Sequence, residues 1–342
     1  MPENLPRPEL ALVSFDDADR LFRARRESLL TVDQPLVLIS QVQRSGGTLL
    51  SALFDGHPEL LAHPWELLIG HPQKYDWPDL DPAGTAEEWA MQLEQPWIEP
   101  TTHTGYLKSR ERRSFPPGLP PALIPPSFVT RLFLVLCADD PPGSPREILD
   151  RYFTAFFGAW LDLQGIHEAP KRWVTGFCPR LAWGESRQAF WSAYPDGRLI
   201  VILRDPRGWY ASARDHTARW AGGPPETALE TWLEGVDELV AAKSGRPDDV
   251  LVVTYERLVS NPRDSLAAIA DWLGMSWDER LMTATFNRRE VEPESSFGLR
   301  GAEISATPAE RWQDVLSAEE IQTVEALALE RDAAARELAD IA

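Results

Sequence analysis

Residues 44–48 (Arg-Ser-Gly-Gly-Thr) could bind an anion. They follow a continuous apolar run at residues 36–40. Paired glycines permit a tight turn and a close approach of the backbone to a ligand. The amides at the start of the helix expected to follow would point outward with a partial positive charge. With the hydroxyl groups of Ser45 and Thr48 and the cation of Arg44, these amides predict a phosphate-binding loop. An ordinary glycine turn is the alternative interpretation.

Arg204 and Ser212 form a second candidate anion site. Arg204 follows an apolar run at residues 199–203, and ligands of open α/β sheets gather at the carboxyl ends of strands. Ser212 lies about two helical turns further on, and a tight turn at Asp205 and Pro206 would let both side chains face one phosphate. An ion pair between Arg204 and Asp205, or another acid, is the alternative. Together the two sites indicate a nucleotide that is phosphorylated at both ends.

The first segment departs from the phosphate loop of ATP- and GTP-hydrolysing enzymes. The GxxxxGK[ST] pattern is absent and no Lys precedes Thr48, although those enzymes use that Lys on the outer phosphates. The sequence also lacks an evident Mg²⁺-holding acid after a strand, unless Asp205 serves. A nucleotide kinase of similar topology is therefore disfavoured but stays open, as does a nucleotide-binding protein without catalysis.

Apolar runs alternate with helical patterns along the chain. Short buried runs predict strands at residues 36–40, 199–203 and 250–254. This alternation predicts an α/β fold, with a mostly parallel central sheet and helices on both faces. Helices are predicted at residues 14–30, from 48 to before 57, and at 147–164, 228–242, 264–273 and 317–341. The last of these opens with a capping box at Ser317 and Glu320.

We expect residues 1–342 to form one domain. Its core would span residues 35–330, after an N-terminal helical extension at 1–33. Residues 67–130 are rich in Pro and Trp with weak periodicity, so we interpret them as an irregular insertion on the acceptor side with one or two short helices. Residues 317–341 would form the C-terminal helix.

Composition limits the partners and the location. The net charge of −19, from 34 basic and 53 acidic residues, disfavours nucleic acid, which requires an extended basic face. No apolar run is long enough for a membrane span, and no signal peptide is visible, so a cytoplasmic location is expected.

Cys137 and Cys178 lie in apolar segments and are interpreted as reduced core thiols. No ligand cluster suggests a metal site. A homo-oligomer is left open.

The two motifs in this order resemble those of the sulfotransferases that use 3′-phosphoadenosine-5′-phosphosulfate (PAPS). Residues 43–50 look like the family's 5′-phosphosulfate loop, in the Arg-Ser-Gly form of the tyrosylprotein and bacterial branch. Gly47 stands where that branch usually has Thr. Residues 204–212 look like the 3′-phosphate motif. The resemblance implies a P-loop-kinase-like sulfotransferase fold, PAPS as donor, 3′-phosphoadenosine-5′-phosphate (PAP) as product, and no metal.

The resemblance also implies roles for individual residues. Arg44 would neutralise charge on the bridging oxygen as the phosphate leaves. A late Arg-Lys-Gly segment of the family is matched only in part, because the Lys is missing. The residues implied in nucleotide binding are Arg44, Ser45, Gly46, Gly47, Thr48, Leu49, Arg204, Ser212, Arg300 and Gly301. Lys108, Lys171 and Arg180 are further cations that could contact an anion or lie in solvent.

A hydroxyl or amine acceptor needs a base near the sulfur. By the resemblance Glu66 is the first candidate, with an apolar wall from the neighbouring Trp65. His63 is the second, because an imidazole with a pKa of about 6.5 suits the task. Alternatively Glu66 lies in the first turn of a helix and His63 in a loop. The acceptor is expected to be a small molecule or a carbohydrate. Four Trp residues, at positions 65, 77, 89 and 97, could stack on it or pack in the insertion.

Overall fold

The fold is built around a parallel sheet of five strands. The computed structural model describes residues 15–69, 76–95, 122–214, 223–290 and 304–342. The strands are β1 (Leu36–Gln41), β2 (Leu60–Glu66), β3 (Trp173–Phe177), β4 (Arg198–Leu203) and β5 (Val250–Thr254). They lie in the order β2-β3-β1-β4-β5, and neighbouring strands pair in parallel. The predicted α/β class is confirmed, and the carboxyl ends of all five strands meet at one edge.

Helices connect these strands, and a short hairpin follows the last of them. The helices are α1 (Phe15–Glu27), α2 (Gly47–Phe54), α3 (Ala86–Gln92), α4 (Pro126–Asp139), α5 (Pro145–Ala159), α6 (Gly184–Ala193), α7 (Pro206–Ala213), α8 (Pro225–Gly245), α9 (Tyr255–Ser260), α10 (Pro262–Leu273), α11 (Thr307–Glu310), α12 (Trp312–Val315) and α13 (Ala318–Arg336). A 3-10 turn spans Glu279–Met282, and the hairpin pairs β6 (Thr285–Phe286) with β7 (Arg289–Glu290).

The central strands are apolar because they are buried on both faces. All residues of β1, β3 and β5 are buried, and in β4 only Arg198 is partly exposed. The runs predicted as strands at residues 36–40, 199–203 and 250–254 are confirmed to within one residue at either end. Strands β2 and β3 were not predicted, because Pro64 and Gly176 interrupt their patterns.

Several predicted bounds differ from the structure. The helix predicted at 147–164 begins at Pro145 and ends at Ala159, since Trp160 turns to an extended conformation. The described part of the insertion at 67–130 holds helix α3 and the start of α4, which agrees with the prediction of one or two short helices. Helix α3 begins with a capping box at Thr85 and Glu88. These local signals lay in a stretch whose high Pro content obscured its periodicity.

The C-terminal helix shows the predicted capping box at Ser317 and Glu320. It ends at Arg336 rather than near residue 341, because the chain turns to pair with the edge strand β5. The Thr254 amide donates to the Ile341 carbonyl (2.9 Å). The last residues thereby cover backbone groups that an edge strand would otherwise expose.

Burial of the two cysteines follows the prediction. Cys137 and Cys178 are both free and buried, and burial raises the pKa of their thiols to about 11 and about 12.

Among the helices of the described ranges, none combines the length and the apolar character needed to cross a bilayer.

A buried carboxyl on α5 makes stability depend on pH. Burial raises the pKa of Asp150 from 3.8 to about 6, although the Tyr194 hydroxyl donates to it (2.6 Å). The folded state therefore binds this proton more tightly than the unfolded chain, so stability falls as pH rises from about 4 to about 6. Replacing Asp150 by Asn should raise the free energy of unfolding at pH 7.5 by about 1 kcal/mol, after discounting for partial exposure.

Urea unfolding between pH 4 and pH 8 measures this effect. The gain from Asp150→Asn should shrink as the pH is lowered toward 4, because the folded state then carries the proton and the unfolded state begins to bind it. Asp271→Asn, at an exposed position of α10, is the matched control and should show no such trend. A gain that is independent of pH would contradict the assignment to Asp150.

Candidate active site

The loop between β1 and α2 is held in a fixed shape. Arg44 and Gly46 both adopt left-handed backbone conformations, with φ of 75° and 102°. The Gln41 side chain at the end of β1 accepts the Gly47 amide at 2.6 Å. Helix geometry leaves the amides of Thr48 and Leu49 without acceptors inside α2, and the N-cap residue Gly46 has no side chain to cover them. These two amides are available to an anion at the helix N-terminus.

Two aromatic rings press against the glycines of this loop. A Cβ atom on Gly46 would lie 2.6 Å from the Tyr255 ring, and one on Gly47 would lie 2.3 Å from the Phe177 ring. Both glycines are therefore required by close packing, and Gly46 also by its positive φ. The interpretation of residues 44–48 as an ordinary glycine turn leaves this enclosure unexplained.

Arg204 lies buried against the loop and is only 4% exposed. Its Nη1 donates to the Arg44 carbonyl (2.6 Å) and its Nη2 to the Pro308 carbonyl (3.0 Å). Its Nε is buried and has no hydrogen-bond partner among the described residues. Burial lowers the pKa of this guanidinium, while the Tyr255 ring, 4.5 Å from it, provides a cation–π contact.

The alternative ion pair between Arg204 and Asp205 is not what the structure shows. Asp205 instead caps α7 through the Arg207 and Gly208 amides and pairs with the Arg207 side chain at 2.7 Å. Arg204 Nε lies near Gly208, since a Cβ built there would be 3.5 Å away. The free donor of Arg204 thus faces the first turn of α7.

The two predicted anion sites are joined directly. Arg44 Nε donates to the Ser212 hydroxyl at 3.3 Å. With the bond from Arg204 to the Arg44 carbonyl, this places two guanidinium groups, one hydroxyl and the start of α2 in one cluster. Arg204 and Ser212 therefore both meet Arg44.

Three further side chains hold the cluster in place, and the sequence interpretation missed two of them. Trp209 Nε1 donates to the Gln43 carbonyl (2.7 Å), and Trp232 Nε1 donates to the Arg204 carbonyl (3.1 Å). Arg180, three residues past the end of β3, donates through Nε to Gln43 Oε1 (3.0 Å). Only Arg180 was considered from the sequence, as a possible anion contact. Trp209 and Trp232 belong to no recognisable motif, and only their contacts in the structure show that they support the cluster.

Glu66 ends strand β2 at the same edge of the sheet. It is only 8% exposed and pairs in register with Phe177, whose ring packs on Gly47. The Glu66 charge also helps to raise the pKa of the Cys178 thiol, which lies just past the end of β3. The alternative that Glu66 lies in the first turn of a helix is wrong, because this residue is in a strand.

His63 lies inside β2 rather than in a loop. Its ring is 1% exposed and stacks on Phe156 of α5, with the ring centroids 4.6 Å apart. This packing places His63 within the sheet layer, three residues before the strand end. Of the two candidate bases, Glu66 is the one at the edge where the cluster lies.

Not all of the predicted residues fall within the described ranges. Arg300, Gly301, Lys108 and Trp97 lie outside the described residues, as does the side chain of Trp65. Lys171 donates to the Pro58 and Gly165 carbonyls, and burial lowers its pKa to about 8. Trp89 is buried and Trp77 packs on Phe190. In the described ranges, no three His, Cys, Asp or Glu side chains are grouped to hold a metal ion.

Comparison with known proteins decides the family. A family model described as "Sulfotransferase family" matches residues 35–279. The chain belongs to the sulfotransferase family. It is similar to protein-tyrosine sulfotransferase 2 of Gallus gallus, at 22% identity over 280 residues, which covers 77% of this chain and 60% of that protein. The chain thus spans about three fifths of that relative's length.

Solved structures of sulfotransferase domains are also similar. The domain from the curacin biosynthetic pathway is 14% identical, with a TM-score of 0.48, covering 86% of this chain and 96% of that one. The domain from the Synechococcus PCC 7002 olefin synthase is 18% identical, with a TM-score of 0.48, covering 87% and 96%.

The departure of this chain from the branch pattern at Gly47 has a local cause. The Phe177 ring occupies the space that a side chain at position 47 would need. The tyrosylprotein and bacterial branch usually has Thr at this position, and a Thr side chain here would collide with this ring. The Phe177 ring therefore fits only where position 47 has no side chain.

Proposed function

We propose that the chain transfers a sulfuryl group from PAPS to a hydroxyl or amine of an acceptor. The observation that carries the proposal is the buried Arg204 Nε without a partner among the described residues. A buried donor is costly to leave unsatisfied, and a phosphate oxygen would satisfy it. The Arg204 side chain lies one hydrogen bond from the loop residue Arg44, so a single nucleotide with two phosphorylated ends fits both sites.

The residues present fit this donor. Thr48 and Leu49 would bind its 5′ end through their amides, with help from the Ser45 and Thr48 hydroxyl groups. The Gly47 amide is held by Gln41, so in this proposal Gly47 shapes the loop. Arg204 and Ser212 would bind the 3′-phosphate. Lone-pair acceptors on phosphate match the donors of a guanidinium well.

Arg44 would stabilise charge in the transition state. The donor supplies the sulfuryl group: its bond from sulfur to the bridging oxygen breaks, the electron pair leaves with the phosphate, and a new bond forms between the acceptor atom and sulfur. Arg44 is oriented by Ser212, and its guanidinium would stabilise the negative charge that grows on the bridging oxygen. Removal of one such donor typically lowers a rate by about 10²–10³-fold.

Glu66 would take the proton from the acceptor. It ends β2 at the carboxyl edge of the sheet and pairs with Phe177, whose ring packs on the loop residue Gly47. We propose a small-molecule or carbohydrate acceptor. The name of the chicken relative adds the tyrosine side chain of a protein as a second acceptor class. The cytoplasmic location and a homo-oligomer stay predictions from the sequence.

Thermal unfolding with PAP tests the donor site. The melting temperature of the full chain should rise by several degrees with PAP in the absence of Mg²⁺, and much less with ADP, which lacks the 3′-phosphate. A ligand at about a hundredfold its dissociation constant adds about 2.7 kcal/mol to stability. Ser212→Ala should reduce the shift, and Ser260→Ala, at an exposed helix end, is the control.

Two results would contradict the proposal. Equal shifts for PAP and ADP would show that the 3′-phosphate is not recognised by Arg204 and Ser212. A shift that requires Mg²⁺ and a nucleoside triphosphate would favour the kinase alternative.

A further inference from the structure

A cavity of about 470 Å³ lies between α3, α4 and α5. Its interior is formed largely by apolar and aromatic side chains, among them Val129 and Phe133 of α4 and Tyr152 and Phe156 of α5. Pockets for small ligands typically have volumes of about 300–1,000 Å³ and mostly apolar walls with a few polar groups. The cavity therefore has the size and lining of a small-molecule site.

Residues in the cavity wall contact β2, which carries Glu66, and the segment just after it. Phe156, in its wall, stacks on His63, three residues before Glu66. Gln95, also in its wall, accepts the Leu68 amide at 2.7 Å and donates to the Leu68 carbonyl at 2.5 Å. Leu68 lies two residues after Glu66. The cavity wall is thus bonded or packed to the chain on both sides of the proposed base.

Two carboxylates mark one side of the cavity. Glu87 of α3 and Glu94, two residues past the end of that helix, both line the cavity, as does Met91. All three are exposed, Met91 to 63%. The described lining residues include no Lys or Arg. Arg131 of α4 reaches away to Asp19 (2.8 Å) and Arg151 of α5 to Asp140 and Glu147.

We infer that this cavity binds the apolar part of the acceptor and that the acceptor carries no negative charge. Its chain or ring would fill the space between Phe133, Tyr152 and Phe156, and its polar end would be uncharged or positively charged. The carboxylates of Glu87 and Glu94 repel an anion, since like charges a few ångströms apart interact unfavourably even near water. The inference rests on the proposed function, because that function makes the occupant an acceptor.

Fluorescence of N-phenyl-1-naphthylamine, an uncharged apolar probe, tests the cavity in the full chain. The probe should bind and be displaced by dodecan-1-ol and dodecylamine at concentrations at least threefold lower than by dodecanoate. Met91→Glu adds a charge at an exposed position and should weaken probe binding at least fivefold. Leu327→Glu is the matched control, because Leu327 is a helical Leu exposed to 42% on α13, and it should leave the binding unchanged.

The charge argument has its own variants. The double change Glu87→Gln and Glu94→Gln should remove the preference for amine over carboxylate, whereas Glu230→Gln on α8, also exposed, should keep it. A preference that survives the double change overturns the role of the two carboxylates. Probe binding that Met91→Glu and Leu327→Glu weaken equally overturns the cavity as the binding site.

The PAP titration separates the two proposals. Met91→Glu should leave the PAP-induced melting shift unchanged. If PAP binds and the amphiphiles bind, but PAPS transfers no sulfuryl group to dodecan-1-ol, dodecylamine or shorter homologues, the acceptor assignment is overturned while the donor site stands. If PAP does not bind, the proposed function fails, and probe displacement alone reports on the cavity.

Discussion

Replacing Glu66 by Gln is expected to lower the turnover number by at least about a hundredfold. General base catalysis typically contributes 10²–10⁴-fold, and Gln has nearly the same shape but cannot take the proton. Because Glu66 ends β2 and is not part of the loop, the PAP-induced melting shift should change little. Steady-state kinetics with PAPS and a sulfated product measured by mass give the turnover number, once an acceptor is known.

His63→Gln separates the two candidate bases. His63 is packed on Phe156 inside the sheet, so its replacement should lower the melting temperature more than the turnover number of the molecules that remain folded. If His63→Gln abolishes turnover at unchanged stability, while Glu66→Gln keeps at least a third of it, the assignment of Glu66 is wrong.

Replacing Gly47 by Ala is expected to destabilise the chain by about 1–3 kcal/mol and to weaken PAP binding. The new Cβ would lie 2.3 Å from Cε2 of Phe177, a ring that is itself buried. Overpacking of this kind typically costs about 1–3 kcal/mol. Either the ring moves or the loop shifts, and a loop shift would displace the Thr48 and Leu49 amides. Urea unfolding and the PAP titration measure the two effects.

A double change identifies Phe177 as the cause. Phe177→Leu removes part of the ring, so in the double variant with Gly47→Ala part of the loss should be recovered, giving a coupling energy of about 1 kcal/mol or more. Gly245→Ala is the control, because apart from its chain neighbours and its own helix backbone no described atom lies within 4 Å of a Cβ built at that position. Additive losses in the double variant would show that the clash with Phe177 is not responsible.

Local sequence patterns determined part of this fold. The apolar runs of β1, β4 and β5 are continuous, because strands buried on both faces need apolar residues throughout. The capping box at Ser317 and Glu320 is likewise a signal within four residues of chain. Strand β2 was not predicted, since His63, Pro64 and Glu66 interrupt its pattern, and only its pairing with β3 makes it a strand.

For the candidate site, the sequence determined the motifs but not their connections. Residues 44–48, Arg204 and Ser212 follow from residue type and spacing, and the sulfotransferase family follows from the two motifs in order. Tertiary structure alone decided that Arg44 bonds to Ser212 and that Arg204 bonds to Pro308, across 168 and 104 residues of chain. It also placed Phe177 against Gly47 and formed the cavity between α3, α4 and α5. The physical reason is that spacing specifies contacts only within a helix turn or a strand, whereas contacts between distant segments depend on how the whole sheet and its helices pack.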